Sequence, residues 1–245
     1  MKNKVIIICI LILASILRLY PLDKYPAGLN ADEAAIGYNA WSLLETGKDE
    51  HSISWPLVFR SFDDYKPPVY FYLVLPFVKV MGLNVWAVRL PSALLGIASV
   101  YLLYLIARKL FPPRPARPAG GSTIYDLPSI TAILLAVSPW HLQFSRGGWE
   151  VNTALFFILL GIYGFLKSLD NAKYLYLFVI AFAISLYTYH SARLISPLLA
   201  LSLVIIYWKQ INILKNLKPF AIGVIICIPL IFQMLSKEGQ SRFTG

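Results

Sequence analysis

The sequence predicts an all-α polytopic membrane protein, with about seven transmembrane helices and a long external first loop carrying interfacial helices. Three observations lead there. Of 245 residues, 58% are aliphatic, aromatic or sulfur-bearing and 14% are charged, against roughly 45–50% and about 25% in ordinary soluble domains. The apolar residues gather in runs close to the length that crosses a ~30 Å hydrocarbon core at ~1.5 Å per residue. The basic residues fall between those runs in short clusters. A soluble globule and a disordered chain are both excluded by this composition. The net charge of +10 then reads as membrane orientation, with no nucleic-acid partner.

The first run, Val5 to Leu17, follows Lys2 and Lys4 and leads into Arg18-Leu19-Tyr20-Pro21. No small-x-small cleavage site follows it, so it is expected to be an uncleaved first span. The external loop 21–86 comes next. Loops of that length are functional or disordered, and this one is too aromatic for disorder. Within it, Asp32 to Thr46 carries Ile36, Ala40, Leu43 and Leu44 at helical spacing and ends at Gly47, which predicts an amphipathic surface helix opened by Asp32 and Glu33. Pro67 to Met81 is apolar but short, follows Lys66, and contains Pro76 and Lys79. It is expected to lie on the outer face rather than cross. Further spans are expected at Ala87–Ala107, Leu127–Phe144, Val151–Leu166, Tyr174–Tyr189, Leu194–Trp208 and Phe220–Leu235. The Pro- and Arg-rich stretch Phe111 to Gly121 between them reads as a flexible cytoplasmic connector.

Charge decides the orientation. With Pro67–Met81 outside the bilayer, one side holds eleven basic residues, from Lys2 to Lys218, and only Asp126 and Asp170 as acids. The other side holds eleven basic and ten acidic residues. If that segment crossed, the nine basic residues from Arg108 to Lys218 would move outside, against the positive-inside bias. The expectation is therefore a plasma (inner) membrane protein, N-terminus cytoplasmic, with its active face extracytoplasmic.

Cys9 and Cys227 sit inside apolar runs and are expected to be buried, inert thiols. His51, His141 and His190 lack metal-ligand spacing. Walker, dinucleotide, zinc-protease and nucleophile-elbow motifs are absent. What stands out is a set of charges bordering the apolar runs on the outer side: Arg18, Lys66, Arg89, Arg146, Glu150 and Arg193, able to share a face with Asp32 and Glu33. Asp32 alone reads as a helix cap, and each Arg alone as a snorkelling residue. Charges near a bilayer are costly, however, and the set predicts one shared polar site. Cations there could grip a lipid-borne phosphate, a divalent ion could bridge it to carboxylates, and a free carboxylate could serve as base.

The run Leu29-Asn30-Ala31-Asp32-Glu33-Ala34, then Trp55-Pro56, Tyr65-Lys66-Pro67-Pro68-Val69-Tyr70, Gly82 and Val88-Arg89-Leu90-Pro91-Ser92-Ala93 resembles the N-terminal portion of the GT-C membrane glycosyltransferases. The branch it is most similar to holds the protein O-mannosyltransferases and aminoarabinose transferases. Ser145 to Glu150 resembles the second acidic site of that family. The resemblance implies transfer of a hexosyl or pentosyl group from a polyprenyl-phosphate donor to a protein, lipid or glycan acceptor, with inversion. Asp32 matches the general base. Lys66 and Arg89 match positions that stabilise the leaving phosphate, and Glu150 would bind a divalent ion such as Mg or Mn together with Asp32, or orient the acceptor. Glu33 is expected to support the site, and Arg146 and Arg193 are added on charge and topology. No nucleotide cofactor is implied. Some of Tyr38, Trp41, Tyr65, Trp149 and Tyr189 would line the sugar or prenyl site, the rest forming an interfacial belt. The chain is expected to be one transmembrane domain, 1–245, shorter than full-length relatives. A transporter or lipid flippase and a non-enzymatic assembly subunit are the competing classes. Both accommodate external charges, but mid-membrane charges and an inverted repeat, the marks of a carrier, are missing.

Overall fold

Asn30, not Asp32, opens the first surface helix. In the computed structural model, which describes residues 2–61, 64–112, 126–210 and 217–235, α1 (Lys2–Leu19) is followed by α2 (Ala31–Thr46). The Asn30 side chain accepts from the Glu33 amide at 2.8 Å while Glu33 accepts from the Asn30 amide at 3.0 Å, a reciprocal capping box that satisfies two orphan donors. Asn30 is thus the cap, and Asp32 and Glu33 follow it in the first turn. At the other end Gly47 adopts φ 71°, a left-handed conformation that glycine takes without Cβ strain.

A short antiparallel hairpin, β1 (Phe59–Ser61) and β2 (Asp64–Lys66), pairs Phe59 with Lys66. It leads into α3 (Val69–Met81). Ile36, Ala40 and Leu43 of α2 bury against Phe59, and against Tyr70, Phe71, Val74 and Val78 of α3. The rings of Phe59 and Phe71 stack with centroids 4.0 Å apart. Each such side chain contributes ~1.5–3 kcal/mol on full burial. The first loop thus folds as a small packed unit that aims the ends of α2 and β2 at one another.

The long helix α4 (Val85–Leu110) is the spine of the molecule. One flank packs on α1 and α5 (Leu127–Val137), through Ile7, Ile10, Ala14, Val100, Tyr104, Ala132 and Ala136. The other packs on α7 (Glu150–Ser168) and α8 (Tyr174–Ser185), around Leu102, Ile106, Leu159, Phe165, Phe178 and Phe182. Helices α7 and α8 approach closely at Gly164, where a Cβ would stand 2.7 Å from the Phe178 backbone nitrogen. Small residues at such crossings are the usual device for packing helices in lipid. The chain continues through α9 (Ala192–Ile206) and α10 (Leu217–Leu235).

The expected single span Leu127–Phe144 is broken. Helix α5 ends at Val137, and α6 (Pro139–Arg146) leaves it at 58°. Pro139 has no N–H for the Leu135 carbonyl four residues earlier, so the ladder cannot continue. The guanidinium of Arg18 takes over, donating to the carbonyls of Leu135 at 3.3 Å and Ala136 at 3.1 Å. The same group donates to the Nδ1 of His141 at 2.7 Å. Arg18 is fully buried, so it mends the break rather than snorkelling to the surface.

Among the described residues, α4 and α7 are long and apolar enough to cross a membrane, and the bent pair α5–α6 counts as a third if taken as one span. Helices α3, α8, α9 and α10 are apolar but shorter. Arg89 and Lys109 lie on α4 about 30 Å apart at 1.5 Å per residue. At the far end Lys109 pairs with Asp170 at 2.5 Å, and this hydrogen bond holds the Asp170 carboxyl below its ordinary value. Cys9 is exposed and Cys227 partly so, which corrects their reading as buried thiols. Most of the Phe111–Gly121 connector, from residue 113 on, lies outside the described residues.

Candidate active site

Glu33 and Arg89 form the keystone of this end of the molecule. Arg89 Nε donates to Glu33 Oε1 at 2.7 Å and a terminal nitrogen to Oε2 at 3.0 Å. The remaining donors reach the carbonyls of Leu22 at 3.0 Å, Pro26 at 2.8 Å and Gly28. All five guanidinium N–H groups are therefore spent. Glu33 also accepts from the Gly148 amide at 2.8 Å. A side chain at 148 would crowd Glu33 and Val88 at 3.2 Å, so glycine lets the α6–α7 turn come this close. Both charged residues are at most 1% exposed. The pair ties α2, α4, the loop after α1 and the turn before α7 into one body, with every Arg89 donor taken up inside the protein.

Asp32 lies one residue before Glu33 and points the other way, its side chain 37% exposed. Lys66, brought in by β2, donates from Nζ to Asp32 Oδ1 at 2.6 Å and lies 3.9 Å from Asp64. Lys66 itself is buried, held beneath the carboxylate rather than waving in solvent. Glu150, the first residue of α7, is buried within electrostatic reach of Lys66, Asp32 and Asp64. An exposed carboxylate, a buried ammonium and a buried second carboxylate thus converge from α2, β2 and α7.

Arg146 and Arg193 both donate to backbone carbonyls. Arg146 donates to the carbonyls of Leu17 at 2.5 Å, Tyr20 at 2.9 Å, Pro21 at 3.0 Å and Tyr25 at 2.9 Å. It caps the C-terminal turn of α1, where free carbonyls and the helix dipole favour a cation. Arg193 donates to the Leu186 carbonyl at 3.4 Å, bracing the α8–α9 turn. Asp32, Lys66 and Glu150 thus form one cluster, with Arg89 and Arg146 bonded to backbone carbonyls near it. Tyr38 and Trp41 are exposed on α2, whereas Tyr65, Trp149 and Tyr189 are half-buried.

The donor set does not fit the expected divalent ion. Among the described residues no three Asp, Glu, His or Cys side chains converge on a common point. The position beside Asp32 Oδ1 is held by the Lys66 ammonium, so no chemistry is routed through a metal here.

Several residues unmarked in the sequence complete the site. The Tyr70 hydroxyl donates to the Val88 carbonyl at 2.7 Å, next to Arg89. Asn152 donates to the Ser92 carbonyl at 2.8 Å, tying α7 to α4 just past Pro91. His190 meets the Tyr65 carbonyl at 2.9 Å. No proline stands four residues after Val88, Ser92 or Tyr65, so no local signal in the sequence marked these contacts.

Residues 65–236 match the family model described as dolichyl-phosphate-mannose-protein mannosyltransferase. Lys66, Arg89, Arg146, Glu150 and Arg193 fall inside the match, and Asp32 and Glu33 precede it. The Bacillus subtilis (strain 168) protein YycA, named as a candidate mannosyltransferase, is 30% identical over 119 residues, 49% of this chain and 16% of that protein. YkcB of the same organism, similarly named, is 27% identical over 119 residues, 49% of this chain and 15% of its own length. The chain thus aligns with about a sixth of the length of these relatives. No solved structure matches it. With a family match over most of its length, and apolar helices able to span a bilayer, the chain belongs to the dolichyl-phosphate-mannose-protein mannosyltransferase family of GT-C membrane glycosyltransferases.

Proposed function

We propose that the chain carries the catalytic end of a glycosyltransferase that moves a sugar from a polyprenyl-phosphate donor to an acceptor on the extracytoplasmic face, with inversion. The observation that carries this reading is the 2.6 Å contact between an exposed Asp32 and a buried Lys66 beside Glu150. In the proposed step the acceptor hydroxyl oxygen attacks the anomeric carbon while Asp32 takes its proton. The bond from that carbon to the phosphate oxygen breaks on the opposite face, and polyprenyl phosphate leaves with the electron pair. Lys66, already fixed beside Asp32, turns its ammonium to the phosphate, where charge grows in the transition state. Glu150 receives a hydrogen bond from the incoming acceptor or sugar and sets its angle of approach.

The same reading treats residues 1–245 as one transmembrane domain of seven spans. The shorter apolar helices complete their crossings with flanking turns, while α2 and α3 lie on the outer face. The positive-inside bias and the ~30 Å between the Arg89 and Lys109 ends of α4 support it.

The test is transfer from synthetic polyprenyl-phosphate hexoses and pentoses, followed by release of polyprenyl phosphate. Base catalysis of this type contributes roughly 10²- to 10⁴-fold, and Asp32→Asn is expected to lose that much while inserting and folding normally. Transfer by Asp32→Asn at the wild-type rate would remove Asp32 from the step.

A further inference from the structure

The segment carrying Lys66 is held by a turn distant in sequence that the proposed chemistry does not use. Lys66 is followed by two prolines, so Pro67 and Pro68 offer no backbone N–H with which to anchor themselves. The anchors lie at the flanks. On one side the Tyr65 carbonyl meets His190 Nε2 at 2.9 Å. On the other, the Val69 amide, an orphan donor at the start of α3, donates to the Tyr187 carbonyl at 3.3 Å. Residues 187–190 therefore brace both ends of Lys66-Pro67-Pro68.

That turn is itself fastened. The Tyr187 hydroxyl donates to the Ile226 carbonyl at 2.6 Å and accepts from the Leu230 amide at 3.1 Å. It sits inside the ladder of α10, beside Pro229, where an inserted polar group is a recognised cause of a helix bend. The buried hydroxyls of Ser185 and Ser196 bond at 2.7 Å across the α8–α9 turn.

From this geometry we infer that His190 is a positioning residue for Lys66, acting through the Tyr65 carbonyl as part of a strap, residues 187–190, pinned to α10. A carbonyl only accepts, so Nε2 carries the proton and donates. The strap sets where the ammonium lies when the phosphate of the donor arrives. The inference rests on the reading of Lys66 as the phosphate-binding group.

The experiment uses the full chain in vesicles of phosphatidylethanolamine and phosphatidylglycerol, with polyprenyl phosphate as the binding probe and sugar transfer as a second readout. His190→Ala is expected to weaken probe binding roughly three- to tenfold, the effect of one lost hydrogen bond of this kind. The amide nitrogen of Gln lies at the reach of Nε2, and that of Asn at the reach of Nδ1. His190→Gln is therefore expected to recover most of the lost binding, and His190→Asn to recover none. If Gln and Asn behave alike, or if His190→Ala binds as wild type, the strap is overturned. Lys66→Ala separates the two ideas: if it leaves probe binding unchanged, the phosphate-binding reading of Lys66 fails, whatever His190 does. Unfolding temperatures measured without the probe keep a folding defect from passing as a positioning one.

Discussion

Arg89 illustrates how much a single buried charge can organise. Its five donors meet one carboxylate and three carbonyls drawn from distant parts of the chain, and the geometry suits a planar fork rather than an ammonium. Removing one partner of a buried pair leaves the other charge uncompensated, at a cost of ~3–5 kcal/mol. Arg89→Met is therefore expected to lower stability by that order in the absence of any ligand. Arg89→Lys is expected to recover little, because three donors on one nitrogen cannot span those acceptors. Unfolding in detergent with no donor lipid checks both. If Arg89 served only to hold the donor phosphate, ligand-free stability would not move. Lys66 belongs to the opposite class, with one strong contact, to a carboxylate that remains open to solvent.

Two breaks in the helices are served by side chains from elsewhere in the chain. Pro139 frees the Leu135 carbonyl and Arg18 serves it. In α10, next to Pro229, the Tyr187 hydroxyl fills a gap in the ladder. The α7–α8 contact has no such slack: a Cβ at Gly164 would meet backbone, at 2.7 Å from the Phe178 nitrogen and 3.1 Å from the Leu177 carbonyl carbon. Overpacking against backbone cannot relax by a rotamer change. Gly164→Val is expected to cost at least ~1–3 kcal/mol and to loosen the α7–α8 pair. The thermal midpoint in detergent reports the first effect, and faster proteolysis near residues 169–173 reports the second. An unchanged midpoint would mean the helices separate more readily than their packing implies.

At the scale of the whole molecule, the charges divide between two ends. Arg89, Lys66 and Glu150 lie at one, and the Lys109–Asp170 pair at the other. The outward faces of α1, α9 and α10 are covered with exposed Ile, Leu and Val, a surface too apolar for water and suited to acyl chains. The orientation is open to direct test. In a chain whose Cys9 and Cys227 are replaced by Ser, Ser54→Cys is expected to react with an impermeant thiol reagent added outside intact cells. Ala172→Cys, on the turn beyond Asp170, is expected to react only after the membrane is breached. The opposite labelling would place the Asp32 cluster in the cytoplasm and end the extracytoplasmic reading.

The sequence by itself determined the helical membrane class, the apolar runs, a helix over Asp32–Thr46 and the family resemblance, because hydropathy, periodicity and motif order are local properties written along the chain. Contacts across the chain are not local, and only the tertiary structure decided them. Arg18, Arg89 and Arg146 look alike beside their apolar runs. Each one's partners lie 61 to 129 residues away, apart from one Arg18 contact and the Glu33 carboxylate of Arg89. The fold turned these three to backbone and left Lys66 with Asp32. The physical reason is that a buried guanidinium takes its partners wherever free carbonyls happen to converge. Where they converge is set by how the helices break and cross, which no single stretch of sequence records.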